Sequence, residues 1–141
     1  MVPRDEHGAY REDIVLPAQS IAAAPRDADD IAASTLPMNG LTARRALDLL
    51  GLKPGEVLAV TGAAGSTGGY VIQLAKHAGL VVVADASEAD EELVRSLGAD
   101  QIVRRGEGVA DRVLELYPDG VDGLFDGAVQ DAAVLLSLIH I

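Results

Sequence analysis

The 141-residue chain has no cysteine and no tryptophan, one phenylalanine and three tyrosines. Without a thiol, disulfides, cysteine-ligated zinc and thiol nucleophiles are excluded within this stretch. With so few aromatics a core must be packed from Ala, Val, Leu and Ile, and apolar residues do make up 49% of the chain. That composition suits a sheet covered on both faces by helices. Basic residues are scarce too: 11 Lys and Arg stand against 22 Asp and Glu, a formal net charge of −11. This balance argues against nucleic acid or an anionic membrane as partner. It leaves room for a phosphate ligand held by backbone amides at a helix N-terminus. No apolar run approaches a membrane span, and residues 1–10 lack the apolar centre of a signal peptide, so a soluble cytoplasmic protein is expected.

Along the chain, residues 1–27 read as irregular, with short extended pieces at 14–16 and 21–23. Residues 28–50 read as two helices broken near Leu36-Pro37. Strand-like runs and helical spacings then alternate. Strands are predicted over 56–60, 80–84, 101–103 and 121–125, with helices over 67–78, after Ser87, and over 109–116. The 80–84 run is continuously apolar, as a strand buried on both faces should be. Ser87 is the expected N-cap of its helix, with Asp90 three residues on in a capping-box-like arrangement. Strands separated by helices predict an α/β fold, a parallel, doubly wound sheet of Rossmann type. Such sheets normally run to six strands, so a sheet truncated at its C-terminal end is expected.

The strongest motif is Thr61-Gly62-Ala63-Ala64-Gly65-Ser66-Thr67-Gly68, between a predicted strand and a predicted helix. Small residues are needed where backbone turns tightly and approaches a pyrophosphate closely. Gly65 is placed nearest the phosphates, Gly68 would let the helix pack against the strand, and the free amides around Ser66 to Gly69 would bind the phosphates with help from the helix dipole. The Ser66 and Thr67 hydroxyls either donate to the pyrophosphate or cap the helix. Asp85 ends the second predicted strand, twenty residues past Gly65. An acid there accepts hydrogen bonds from the adenosine ribose and repels a 2′-phosphate, tilting selection toward NAD(H); alternatively it is a solvated loop carboxylate. Ser87 stands beside it as a further cofactor-facing candidate. Arg104 and Arg105 follow the third strand, where they would grip the 2′-phosphate of NADP(H) or simply be surface arginines.

With these residues the chain resembles the zinc-independent quinone oxidoreductase branch of the medium-chain dehydrogenase/reductase superfamily. The segments that carry the resemblance are Leu36-Pro37-Met38-Asn39-Gly40-Leu41-Thr42-Ala43, Leu52-Lys53-Pro54-Gly55-Glu56, Ile72-Gln73-Leu74-Ala75-Lys76, Leu97-Gly98-Ala99-Asp100 and Val121-Asp122-Gly123-Leu124-Phe125-Asp126, besides Gly8-Ala9-Tyr10. The resemblance implies an oxidoreductase that transfers hydride from NAD(P)H to a quinone or activated enone, without zinc and possible as a homodimer. It places Thr42, and Asn39 with it, near the nicotinamide end of the cofactor. It also implies a remnant of an upstream catalytic domain over 1–25 and an incomplete dinucleotide-binding domain over 26–135, the chain itself being a fragment inactive alone. Residues 136–141 are expected to be a non-native tail: they lack turn chemistry and resemble the translation of a transposon end used as a sequencing adapter.

Two departures bear on the chemistry. Where zinc-dependent relatives place a metal ligand four residues before the threonine, this chain has Met38, a poor zinc donor. At Asp90, NADPH-using relatives often carry a lysine. His7, His77 and His140 show no ligand spacing and read as surface residues. Two other readings stay open. One is a short-chain dehydrogenase or epimerase, whose loop pattern Thr61 to Gly68 also fits. The other is a non-catalytic nucleotide-binding module that senses redox state.

Overall fold

The computed structural model describes residues 12–128; the expected tail at 136–141 lies outside the described residues. Contacts divide the chain into two units, Met1–Ala33 and Ser34–Ile141. In the first, segments 14–16 and 21–23 form no strand, and a 3-10 turn spans Ala18–Ser20. Asp29 opens helix α1, Asp30–Leu50, by accepting the Ala32 N–H on its carboxylate at 2.7 Å, as an N-cap does.

α1 corrects one expectation. It runs as one 21-residue helix through Pro37 instead of breaking there. Proline removes one N–H and crowds the carbonyl four residues earlier, but Pro37 is exposed, so solvent can compensate the freed carbonyl. The buried contacts of Ala43 and Leu47 anchor the second half.

The second unit alternates strand and helix: β1 Val57–Thr61, α2 Ser66–His77, β2 Val81–Ala86, α3 Glu91–Ser96, β3 Gln101–Arg104, α4 Val109–Leu116 and β4 Gly123–Asp126. The strands form one parallel sheet in the order β3-β2-β1-β4. β1 is central, and chain order reverses on its two sides. This is the Rossmann-type doubly wound arrangement, and the loop leaving β1 lies at its switch point.

Strand parity sorts the core into two layers. Leu58, Val60, Val82, Ala84 and Ala86 pack with Ala43, Leu47, Val71, Ile72, Ala75 and Val94 from α1, α2 and α3. Ala59, Val83 and Val103 pack on the other face with Val109, Ala110 and Val113 of α4 and with Val121. The fully buried side chains of both layers are all aliphatic, with Tyr70 and Phe125 packed at the margin of the first layer and Tyr117 at that of the second. Among the described residues no helix is long and apolar enough to cross a membrane.

The loop after α3 is pinned by Asp100. Its carboxylate accepts the Val82 N–H at 2.7 Å and pairs with Lys76 Nζ at 2.7 Å, while the same ammonium donates to the Leu80 carbonyl at 2.8 Å. Partial burial pushes the Asp100 carboxyl up, but the Lys76 ammonium and the Val82 amide outweigh it and hold the group below its ordinary value. A depressed folded-state pKa contributes stability above the unfolded value of about 3.9 and loses it as pH falls through the folded one. Asp100→Asn is therefore expected to lower stability at pH 7 by about 1 kcal/mol or less, since both partners are a third exposed and screened. Urea unfolding of both proteins at pH 7 and at about pH 3 checks this: the gap narrows in acid, and an equal gap at both pH values refutes it.

Candidate functional site

The loop from β1 to α2 is shaped by backbone meeting backbone. Gly62 has φ +66°, and a Cβ there would lie 2.6 Å from the carbonyl carbon of Gly127. A Cβ on Gly68, in the first turn of α2, would lie 2.3 Å from the Gly62 carbonyl oxygen and 2.9 Å from Ala63 Cα. Both positions therefore demand glycine: Gly62 for conformation and space, Gly68 for the approach of helix to loop. Gly65 differs. With φ −75° it is the N-cap of α2, exposed, and its Cβ would meet only the Gly62 oxygen, at 3.1 Å. Space is thus tight at 62 and 68, and open at 65 on the side facing solvent.

The turn is closed by Gly65 N–H donating to the Gly62 carbonyl at 2.9 Å, and the first bond of α2 runs from Gly69 N–H to the Gly65 carbonyl at 2.8 Å. Among the described residues the amides of Ser66, Thr67 and Gly68 have no acceptor. They carry the positive end of a 12-residue helix. Next to them opens a cavity of about 410 Å³ whose lining includes Thr35, Asn39, Ala64, Gly65, Ser66 and Tyr70.

The remaining expected residues fall in different places. Thr67 neither caps α2 nor turns outward: its hydroxyl donates to Asn39 Oδ1 at 2.9 Å, tying α1 to the start of α2. The N-cap makes no side-chain bond at all. Asn39 is thereby brought to the cavity, whereas Thr42, not among its lining residues, donates back to the Met38 carbonyl at 2.7 Å within α1. Ser87 is not a helix N-cap. It precedes a turn that ends at Asp90, the true start of α3, and its hydroxyl donates to Asp90 Oδ2 at 2.6 Å. Arg104 is exposed and pairs with Glu88 at 3.2 Å, beside the same turn.

Asp85 departs from one of its two expected readings. It is not a solvated loop carboxylate: the residue is 1% exposed. Its Oδ1 accepts the Ala63 N–H at 3.1 Å and its Oδ2 accepts from Arg105 Nε at 3.2 Å. The carboxylate is therefore enclosed and compensated by a counter-ion. Arg105, in turn, is committed to Asp85 through Nε. Parity explains the difference. Asp85 shares the strand face of Val83, which packs toward α4.

One functional contact was not anticipated from the sequence. Thr61, 3% exposed, donates to Asp126 Oδ1 at 2.5 Å, and the same oxygen accepts the Ala128 N–H at 3.0 Å. This bond draws the end of β4 over Gly62. The available signal was an acid closing one parallel strand beside a hydroxyl closing its neighbour.

Comparison with known proteins agrees with this geometry. The model of the zinc-binding dehydrogenase family matches residues 66–140. A probable quinone oxidoreductase of Leishmania amazonensis is 35% identical over 125 residues, covering 86% of this chain and 36% of that protein. Prostaglandin reductase-3 of Bos taurus is 35% identical over 133 residues, covering 90% and 35%. The structure of mycobacterial Rv1454c, solved in complex with NADPH, superposes with a TM-score of 0.77 at 29% identity, covering 88% of this chain and 40% of that one. The chain thus spans little more than a third of the length of the curated relatives it matches. The loop at the switch point, the sheet order and the family match together place this chain in the zinc-binding dehydrogenase family, on the quinone-oxidoreductase-like side of the medium-chain dehydrogenase/reductase superfamily.

Proposed function

We propose that this chain is the dinucleotide-binding part of an NAD(P)H-dependent oxidoreductase that delivers hydride to a quinone or an activated enone. The observation that carries the reading is the start of α2, where three amides without acceptors face a loop whose glycines leave no side chain in the way. Such a helix start binds phosphate through its N–H groups and its dipole, without side-chain cations and despite the acidic chain. The NADPH bound to the mycobacterial neighbour, and the names of the Leishmania and bovine relatives, support the same chemistry. Bound nicotinamide supplies the hydride. The residues of this chain hold it: Ser66 to Gly68 at the pyrophosphate, Asn39 with Thr42 toward the nicotinamide, and Ser87 with Arg104 toward the adenosine.

The reading assigns no zinc to this chain, although the family's name carries the metal. The donor set does not fit it. There is no cysteine, and Met38, at the position expected of a ligand, is exposed. Among the described residues no three His, Asp or Glu side chains converge. No step of the proposed reaction runs through a metal.

Two outcomes test the reading. Gly65→Val should fold, since position 65 has ordinary φ and needs only a few tenths of an ångström of adjustment, yet lose roughly a hundredfold in NADPH and NADH affinity by blocking the amides. Gly68→Val should instead cost about 3 kcal/mol or more of stability, through backbone overlap. Calorimetric titration and thermal unfolding separate the two, and a folded Gly65→Val that binds as the parent does removes the loop from the cofactor site. For selectivity, Arg104→Ala should weaken NADPH binding by about three- to tenfold and leave NADH unchanged, the modest size reflecting an exposed cation. An unaltered NADPH to NADH ratio would take the 2′-phosphate away from Arg104.

A further inference from the structure

Asp85 is a carboxylate where the strand pattern calls for an apolar side chain. Its own side chain has no exposed surface, and around it a void of only about 10 Å³ is lined by Ala59, Val83, Val103, Val109 and Val113. That void is at the lower limit for one water molecule. A carboxylate is costly in such surroundings unless its oxygens are matched. Here each oxygen has its own donor, and among the described residues no buried side-chain polar atom lacks a partner.

The two donors come from different parts of the sheet. Ala63 belongs to the loop after β1 and is fully buried. Its N–H points away from the solvent side of the turn and must find an acceptor inside the protein. Arg105 follows β3, and its own N–H continues the β2–β3 register by donating to the Ala86 carbonyl at 2.9 Å. Its guanidinium is therefore aimed from a set backbone position. Loop, β2 and the end of β3 are joined through one side chain.

We infer that Asp85 is a positioning residue: with Arg105 as its counter-ion, it holds the Ala63 peptide in the plane that aims the Ser66 to Gly68 amides at a pyrophosphate. The inference rests on the dinucleotide reading of the loop. A valine at 85 would match its neighbours and fill the space, but would leave the Ala63 N–H buried without an acceptor. The carboxylate supplies a directed acceptor that an aliphatic side chain cannot. Arg105 spares it from standing as an isolated buried charge.

The test uses the 141-residue chain as Asp85→Asn, Arg105→Gln and the double variant, with Val94→Ala as a control that weakens the core layer on the other sheet face and removes no hydrogen bond from the loop. Amide hydrogen exchange at Ala63 is read by NMR in the free chain, and NADPH affinity by calorimetry. In Asp85→Asn the new amide group faces the Arg105 Nε–H donor to donor. Ala63 exchange is expected to speed up by about tenfold or more, and NADPH affinity to fall by about tenfold or more. Val94→Ala should move both by less than about twofold at comparable loss of Tm. Pairing Asp85→Asn with Arg105→Gln restores a neutral donor–acceptor contact and should recover part of both effects. If Asp85→Asn does not fold, Arg105→Gln, altered at a partly exposed side chain, should show the same two changes at smaller size. Unchanged Ala63 exchange in the folded variants, or an affinity loss that Val94→Ala reproduces, overturns the inference. A parent chain that binds no NADPH would refute the dinucleotide reading instead, while Ala63 exchange would still report whether Asp85 holds the loop.

Discussion

Helix α2 begins in van der Waals contact with the backbone of the loop that feeds it, and the rest of the site follows from that approach. A Cβ at Gly68 would stand 2.3 Å from the Gly62 carbonyl oxygen, and one at Gly62 would stand 2.6 Å from the backbone of Gly127. Three stretches of main chain thus meet with no side chain between them. The first-turn amides of α2 are brought to the end of β1, at the point where the sheet's order reverses. Without that contact the first-turn amides of α2 would stand away from the end of β1, and the field of a helix end falls off within a turn.

Such a contact between main chains offers little apolar surface, so its stability comes from the sheet beneath and from a few polar bonds. The buried members of both core layers are aliphatic and converge on β1 and β2. Among the described residues the buried polar ones are Thr61 and Asp85, and both lie at strand ends beside the loop. Thr61 binds Asp126 and draws the end of β4 over Gly62; Asp85 binds Ala63 and Arg105. A buried hydrogen bond contributes only about 1 kcal/mol net, but leaving its donor unmatched costs more. These two side chains therefore act less as sources of stability than as constraints on which loop conformation the protein can tolerate.

The same logic assigns different roles to neighbours that look alike in sequence. Gly65 and Gly68 are three residues apart in one glycine pattern, yet only Gly68 is sterically obliged to be glycine; Gly65 is open on the side facing solvent. Asp85 and Asp90 are both acids near the end of β2. One is enclosed and holds the loop; the other starts α3 and accepts the Ser87 hydroxyl. Arg104 and Arg105 are adjacent, and strand alternation sends the first to Glu88 at the surface and the second to Asp85.

The alternation of apolar runs and helical spacings determined the parallel sheet, the number and order of elements after residue 50, and the place of the glycine loop, because each of these rests on local periodicity and turn chemistry. Leu80 to Ala84 carries the signature of a strand covered on both sides, and the strand found is Val81–Ala86. Ser87 was misread because capping patterns are short and a turn of four residues satisfies them equally well. Pro37 was misread because the buried contacts of Ala43 and Leu47, further along the helix, offset the local cost of the proline. The direction of Asp85, the engagement of Thr67 with Asn39 and the bond between Thr61 and Asp126 depend on residues 20 to 65 positions apart. Only tertiary structure could decide them: a side chain's partner is set by which strand lies beside it and which face it takes, and those are properties of the assembled sheet, not of any local stretch of chain.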